Sequence, residues 1–430
     1  MKASEMRASG LGEAVSVVVL GDVTRSPRMC WHALALAEAG YRVELIGFVE
    51  TPLPAELTGN ERIRVRSISS APVPSSQTSS GTGIGYLLGI GPRLLAQQVG
   101  LVRALAGSRP AAVMLVQNPP SLHVLPVLLV LRRLRGTRLI VDWHNFGWTL
   151  LALRLGERSA AVAVAGWLER TLARRADGHL CVSRAMSEWL RSQYSIEAAP
   201  FLDRPPRIRG DSANRDGDRE SALRALGLED ALIRELLDDR AVLVVSSTSW
   251  SVDEDFSLLL DAFRLWSDAA DASDLPRLVV VVSGRGPQRA EFERAVAEIS
   301  LRRLAVRAVW LDEDDYRAML SAADLGVCLH RSSSGVDLPM KLADMIGAGL
   351  PVCALDYGPC LREALADVGD GFYFRDAPEL VALWRRLLAG DRGELAAARR
   401  RIACDAGPSW QDDWCRLVEP VVRGLARADR

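Results

Sequence analysis

Eleven short runs rich in Val, Ile and Leu recur along this 430-residue chain, with helical patterns between them. They occupy residues 15–20, 42–48, 63–68, 112–116, 138–143 and 179–182 in the first half, and 241–245, 277–282, 306–310, 325–329 and 351–355 in the second. Most are apolar at consecutive rather than alternate positions. A strand that is apolar on both faces belongs to a parallel sheet covered by helices on both sides, whereas a half-exposed antiparallel strand alternates. Helical patterns such as 27–39 and 159–176 supply the cover. Around 196–221 the alternation breaks into Pro, Arg, Asp and Gly, then restarts. The chain is also too long for one ordinary core. The expected architecture is α/β, with two doubly wound Rossmann-like domains facing a central cleft. Residues 1–200 form the first domain, 201–240 a linker region and 241–408 the second domain; 409–430 form a terminal helix packing back on the first.

In doubly wound sheets ligands sit beyond the carboxyl ends of the strands, so the loops after the runs are the candidate site. After the first run comes Gly21-Asp22-Val23-Thr24-Arg25-Ser26-Pro27-Arg28. It offers a glycine for close backbone approach, a proline helix start and two arginines for an anionic group. Gln117-Asn118-Pro119-Pro120 follows the fourth run and Asp142-Trp143-His144-Asn145 the fifth, where Asp142 and His144 are candidates for moving a proton. In the second half, Ser246-Ser247-Thr248-Ser249-Trp250 precedes Asp253-Glu254-Asp255, an acidic trio that reads as the first turn of a helix favoured by its dipole. Gly284-Arg285-Gly286-Pro287 offers glycines and a cation for a phosphate. Neither Gly-x-Gly-x-x-Gly nor Gly-x-x-x-x-Gly-Lys-[Ser/Thr] is present, so no dinucleotide or P-loop fingerprint is expected.

Lysine is nearly absent: Lys2 and Lys341 are the only two among 53 basic residues, the others being arginine. Lys341 lies in Ser332-Ser333-Ser334-Gly335-Val336-Asp337-Leu338-Pro339-Met340-Lys341-Leu342-Ala343-Asp344, a polar run entering a helix. A compact, flexible ammonium at a helix start suits a phosphate. Asp344, three residues on, shares its helical face and can accept from ribose hydroxyls. With Arg285 and the Gly335 amide, these residues point to a nucleoside diphosphate.

A net charge of −1 argues against a nucleic-acid binder. Seven cysteines without a Cys-x-x-Cys pair fit buried reduced thiols and no metal site. No run approaches the length of a membrane-spanning helix. Two apolar stretches flanked by arginine, 84–105 and 122–131, suit either a core helix or the surface of a bilayer. The Ser/Thr/Pro/Gly-rich stretch 71–85 reads as a surface loop.

Taken in order, several blocks are recognisable: Gly-Asp-x-x-Arg-Ser-Pro-Arg-Met at 21–29, Gln-Asn-Pro-Pro at 117–120, Asp-Trp-His-Asn at 142–145, Leu-Cys-Val-Ser at 180–183, and Ser-Ser-Thr-Ser-Trp with Asp-Glu-Asp-Phe at 246–256. The last is Ala-Asp-Leu-Gly-Val-Cys-Leu-His-x-Ser-Ser-Ser-Gly-x-Asp-Leu-Pro-Met-Lys at 323–341. Together they resemble the chitobiosyldiphosphodolichol β-mannosyltransferases over nearly the whole chain. The resemblance implies a GT-B fold and GDP-mannose as donor. It implies a GlcNAc₂-diphosphodolichol acceptor, inversion to a β1,4 bond, and action at the cytosolic face of the endoplasmic reticulum. Partners implied are the lipid-linked acceptor, a membrane surface met peripherally and other glycosyltransferases of the pathway. Arg285 stands where the family usually has lysine. Asp337 and Asp344 stand where related retaining enzymes carry a Glu-x₇-Glu pair. The family's usual N-terminal membrane helix is not seen in the sequence.

Inversion needs a base for the acceptor hydroxyl, for which Asp142 or His144 is nominated, with Asp22 third. The donor side is expected to comprise Gly21, Arg25, Ser249, Trp250, Arg285, Ser334, Gly335, Asp337, Leu338, Pro339, Met340, Lys341 and Asp344. In this scheme cations and a helix start replace a metal, so no divalent cation is obligatory. The alternatives are a glycosyltransferase using another nucleotide sugar and a non-dolichol acceptor in a prokaryote-type pathway, and a non-catalytic relative.

Overall fold

A computed structural model describes residues 13–68, 84–120, 124–203, 215–250, 254–269, 275–366, 371–404 and 409–427. Residues 71–83 of the expected surface loop, residues 122–123 and Asp253 lie outside them. The chain divides into two compact units, 1–202 with 411–430, and 203–410.

The first unit is built on seven parallel strands: β1 (Ala14–Asp22), β2 (Arg42–Phe48), β3 (Ile63–Ser67), β4 (Val113–Asn118), β5 (Arg138–Trp143), β6 (Gly178–Cys181) and β7 (Ala199–Pro200). Their order is β3-β2-β1-β4-β5-β6-β7. Consecutive residues of β4 and β5 are buried on both faces, which accounts for their unbroken apolar pattern. The helix Pro27–Glu38 starts with proline at its first turn, where the missing N–H has no intrahelical partner to lose. Between β5 and β6 the helices Gly147–Leu155 and Ala160–Ala173 form a hairpin. Gly166 lets the Trp148 ring lie against the second helix, and Glu169 accepts from the Gly147 N–H at 2.7 Å.

Residues 411–427 complete this unit. Trp414 is fully buried and its Nε1–H donates to His32 Nδ1 at 2.9 Å, while Gln411 donates to Glu38 at 2.8 Å. Val421 and Leu425 cover Gly178, where no side chain stands in the way.

Six parallel strands form the second sheet: β8 (Ala241–Ser247), β9 (Arg277–Ser283), β10 (Leu304–Val309), β11 (Leu325–Cys328), β12 (Val352–Leu355) and β13 (Phe372–Phe374), ordered β10-β9-β8-β11-β12-β13. Val242 and Val244 of β8 face one core, with Phe263, Trp266 and Trp384. Leu243 and Val245 face the other, with Met319, Met345 and Leu361. This two-sided burial is the doubly wound arrangement.

Two expectations need correction. The stretch 201–240 is not a mere linker. It contains the helices Arg215–Ala225 and Asp230–Leu237, whose Leu223, Ile233 and Leu236 belong to the second core. The short strands β7 and β13 escaped sequence reading because two or three residues carry no usable period.

Replacing Trp414 with Ala is expected to leave a cavity and to remove the indole donor to His32 Nδ1. Urea titration should show a loss of about 3–5 kcal/mol in the first unit's transition, with faster proteolysis after residue 410.

Candidate functional site

The strand order reverses between β1 and β4 in the first sheet and between β8 and β11 in the second. Reversal opens a crevice at the carboxyl ends of the strands. In each unit a buried carboxylate lies at that edge.

In the first unit it is Asp142, at the end of β5 and fully buried. Arg28 reaches it from the helix Pro27–Glu38 with two parallel hydrogen bonds, Nε–H to Oδ2 at 2.8 Å and an Nη2 donor to Oδ1 at 2.9 Å. The Arg28 guanidinium also donates to the Phe201 carbonyl at 2.7 Å and lies over the Phe201 ring. His144 Nε2 sits 2.9 Å from Asp142 Oδ2, and His32 Nε2 lies 3.4 Å from the same oxygen. Burial would raise the Asp142 carboxyl, but Arg28 and His144 outweigh it and hold it well below the usual carboxylate range. Burial pushes His32 down and keeps it neutral.

This geometry divides the roles expected of Asp142 and His144. Asp142 has no exposed surface through which to touch an acceptor. His144, whose side chain is 22% exposed, has its ring oriented by that carboxylate. A proton shared on Nε2 leaves Nδ1 as the basic atom. Arg28, expected to meet an anion, is consumed in the core.

Asp22 is likewise a local anchor. It caps the turn Val23–Arg25 and accepts from the Thr51 hydroxyl at 2.8 Å and the Glu50 N–H at 3.3 Å. Burial opposes these bonds but does not win, and its carboxyl is held below the ordinary value. Arg25 is largely exposed, 3.7 Å from Asp22. A β-carbon at Gly21 would meet Val19 Cγ1 at 3.9 Å, an ordinary contact, so nothing there crowds a side chain out.

The second unit's carboxylate is Glu254, which the sequence placed inside a helix start. Instead the helix begins at Phe256 with Asp255 at its cap, and Glu254 pairs with His330 as an isolated antiparallel bridge. Its buried carboxylate accepts from the Thr248 hydroxyl, the Ser249 N–H at 3.0 Å and the Ser249 hydroxyl at 3.4 Å, and it pairs with the Lys341 ammonium. The loop after β8 and the helix after β11 are therefore joined across the reversal point by one side chain. The sequence signal for Glu254 was available: an acid between a polar strand end and an apolar helix need not belong to the helix.

Lys341 is on the first turn of the helix Met340–Gly347, which Pro339 precedes in extended conformation. Leu338 and Met340 are half-buried beside it. Upstream, Asp337 accepts from the Ser332 and Ser334 hydroxyls, with His330 Nε2 3.4 Å away. Burial raises its carboxyl, and these donors bring it below the ordinary value. Gly335 has φ +74°, which a β-carbon disfavours, and its N–H donates to Ser332 Oγ at 2.7 Å. The Gly335 amide expected to meet a phosphate is thus engaged within its own loop.

Asp344 accepts from the Tyr316 hydroxyl at 3.3 Å, which also lies 3.0 Å from Ser247 Oγ. Burial pushes its carboxyl up to about 6.

The glycines flanking Arg285 serve packing. A β-carbon at Gly284 would stand 1.8 Å from the Thr248 carbonyl oxygen, and one at Gly286 2.0 Å from that of Ser249. Arg285 is exposed, its guanidinium 4.0 Å above the Trp310 ring. Trp250 is a correction: its side chain is fully buried between Phe256 and Phe292 and cannot touch a ligand. Among the described residues, no group of three or more His, Cys, Asp or Glu comes together as a metal site.

A family model described as a glycosyl transferase 4-like domain matches residues 26–202. A mouse chitobiosyldiphosphodolichol β-mannosyltransferase is 35% identical, over 97% of this chain and 90% of its own length. This chain belongs to the chitobiosyldiphosphodolichol β-mannosyltransferase family. It is a glycosyltransferase. An Arabidopsis thaliana relative named UDP-glycosyltransferase TURAN is 32% identical over 94% of this chain and 96% of its own. Among solved structures, an α,α-trehalose-phosphate synthase from Burkholderia vietnamiensis is 14% identical with a TM-score of 0.64, covering 97% of this chain and 99% of that one. At that identity the likeness speaks for the fold, which is GT-B.

Arg28→Met strands a buried carboxylate and is expected to cost about 3–5 kcal/mol in urea unfolding. Arg28→Met with Asp142→Leu should recover a large share of it. At Asp344 the sign runs the other way. The folded carboxyl keeps its proton to about 6, whereas the ordinary value is 3.8, so stability falls as pH rises through that interval. Asp344→Asn should remove that slope in melting curves and raise the transition above pH 6.

Proposed function

We propose that this chain transfers mannose from GDP-mannose to a GlcNAc₂-diphosphodolichol or similar polyprenyl-diphosphate glycan, inverting the anomeric carbon to form a β1,4 bond. The observation that carries this reading is the Lys341–Glu254 pair at the reversal point of the second sheet, within a chain of this family. A leaving nucleoside diphosphate gains negative charge as the glycosidic bond breaks. An ammonium already oriented at that point lowers the barrier without reorganisation. Glu254 fixes the Lys341 stem and the Ser249 loop together, so the cation is set before the donor arrives. Asp344, once ionised, accepts from the ribose hydroxyls.

In the first unit, His144 Nδ1 takes the proton of the attacking hydroxyl, and Asp142 stabilises the resulting imidazolium. The fixed cation makes a divalent ion unnecessary in this scheme, and chelation is expected to leave turnover unchanged. Buried free thiols, among them Cys181, Cys328 and Cys353, fit action on the cytosolic side of the membrane bearing the acceptor.

The plant relative's name favours a second reading, a different nucleotide sugar. Incubating the chain with a short-chain GlcNAc₂-diphospholipid and either GDP-mannose or UDP-sugars separates the two. GDP-mannose alone should give product, sensitive to β-mannosidase and not to α-mannosidase. Product from UDP-sugars only, or an α-linked product, sinks the proposal. Lys341→Ala should lower kcat/KM by about 10²–10³. Because that change also unpairs Glu254, the double variant Glu254→Gln/Lys341→Ala is the control, expected to regain stability but not turnover.

A further inference from the structure

We propose that one helical face of the first unit docks on an anionic lipid bilayer, through apolar side chains set among arginines. Right-handed crossovers put the helices that follow β3, β4 and β5 on the same side of the sheet. These are Ile84–Ala106, Val124–Arg135 and the hairpin Gly147–Leu155/Ala160–Ala173, and they pack side by side. The opposite side carries Pro27–Glu38 and the C-terminal helix, joined through His32 and Trp414.

Exposed apolar side chains divide unequally between the two sides. Among the described residues, ten large ones are exposed in the first unit; nine of them lie on these four helices and none on the helices of the opposite side. They include Leu134 at 76% exposure, Leu95 at 62%, Val130 at 58%, Trp167 at 56%, Val164 at 55% and Leu153 at 53%. On the helix Ala160–Ala173 the exposed positions 160, 163, 164 and 167 are all apolar. Spacing of three and four residues puts them on one stripe, which is the pattern of a buried face, here left open.

The exposed charges around them are mostly positive. Residues 124–177 hold nine arginines, no lysine and four carboxylates. Asp142 and Glu169 are buried, and Asp177 is held between Arg132 and Arg138, so Glu157 is the one exposed acid among the four. Arg133, Arg158, Arg174 and Arg175 are exposed. Between Val124–Arg135 and the end of the hairpin runs a groove of about 830 Å³. Its walls are Pro126, Leu129 and Leu172, and Arg133 and Arg175 stand at its rim.

Exposed apolar side chains with guanidinium groups among them match the boundary between acyl chains and anionic headgroups. A protein partner would need a compact apolar centre with a polar rim, whereas these residues are spread across four helices. Among the described residues, no helix is long and apolar enough to cross a membrane. The contact proposed here is with the bilayer surface.

Flotation of the full chain with vesicles tests this, comparing phosphatidylcholine alone with phosphatidylcholine plus phosphatidylserine. The chain should float with the mixed vesicles, less so at high salt. Leu134→Glu/Trp167→Glu should bind about tenfold less, with the same thermal transition and the same rate on a water-soluble acceptor. Leu95→Glu/Leu153→Glu, on the other two helices, is a second and independent variant, expected to behave alike. Arg133→Ser/Arg158→Ser should abolish the preference for the anionic vesicles. Undiminished flotation of the glutamate variants, or equal binding to both vesicle types, overturns the proposal. A dimer that these substitutions dissolve, without flotation of the parent, overturns it in favour of a face between copies of this chain.

Discussion

A carboxylate removed from water at the carboxyl edge of a parallel sheet is unfavourable unless its oxygens are met by donors and its charge by a cation. Both units are organised around one. Asp142 gathers Arg28, His144 and His32 beneath the first sheet's edge, and Glu254 gathers Thr248, Ser249 and Lys341 at the second's. In each case the buried oxygen holds a group that itself reaches solvent: the imidazole of His144 and the ammonium of Lys341. The same device orients an imidazole in one unit and a cation in the other.

The loops around Glu254 show how close packing and orientation are coupled. Backbone carbonyls of Thr248 and Ser249 occupy the space that side chains at 284 and 286 would fill. The loop after β9 therefore presses on the loop after β8, which Glu254 ties to the helix after β11. A shift in any one of the three would move Lys341. Asp337 and Ser332 do the same on a smaller scale, tying residues 332–337 into a closed turn before the helix begins. Arg285 stands outside this mesh, stacked on Trp310, so its charge remains at the surface.

The first unit is asymmetric. One side of its sheet is sealed by the C-terminal segment, with Trp414 locked on His32. The other leaves a broad apolar and arginine-rich surface unfilled. Water penalises such a surface, so a stripe like that of the helix Ala160–Ala173 makes sense only with something to cover it.

The architecture was legible because hydrophobic periodicity is a local property. Consecutive apolar residues at 241–245 and 277–282 require burial on two faces wherever they lie, and that requirement alone implies parallel sheets between helices. Lys341 could be singled out from composition, and His144 from its place after a strand. Partnership is not local. Arg28 and Asp142 are 114 positions apart and Glu254 and Lys341 are 87, and neither pair leaves a mark in sequence spacing. The order of strands, not the order of residues, brought them together. Sequence thus determined the layers, the strand ends and the residue types available there. Only the tertiary structure decided that Arg28 and Trp250 are core, that Asp142 supports His144 and that Glu254 sets Lys341, because burial and charge pairing are settled by which strands become neighbours.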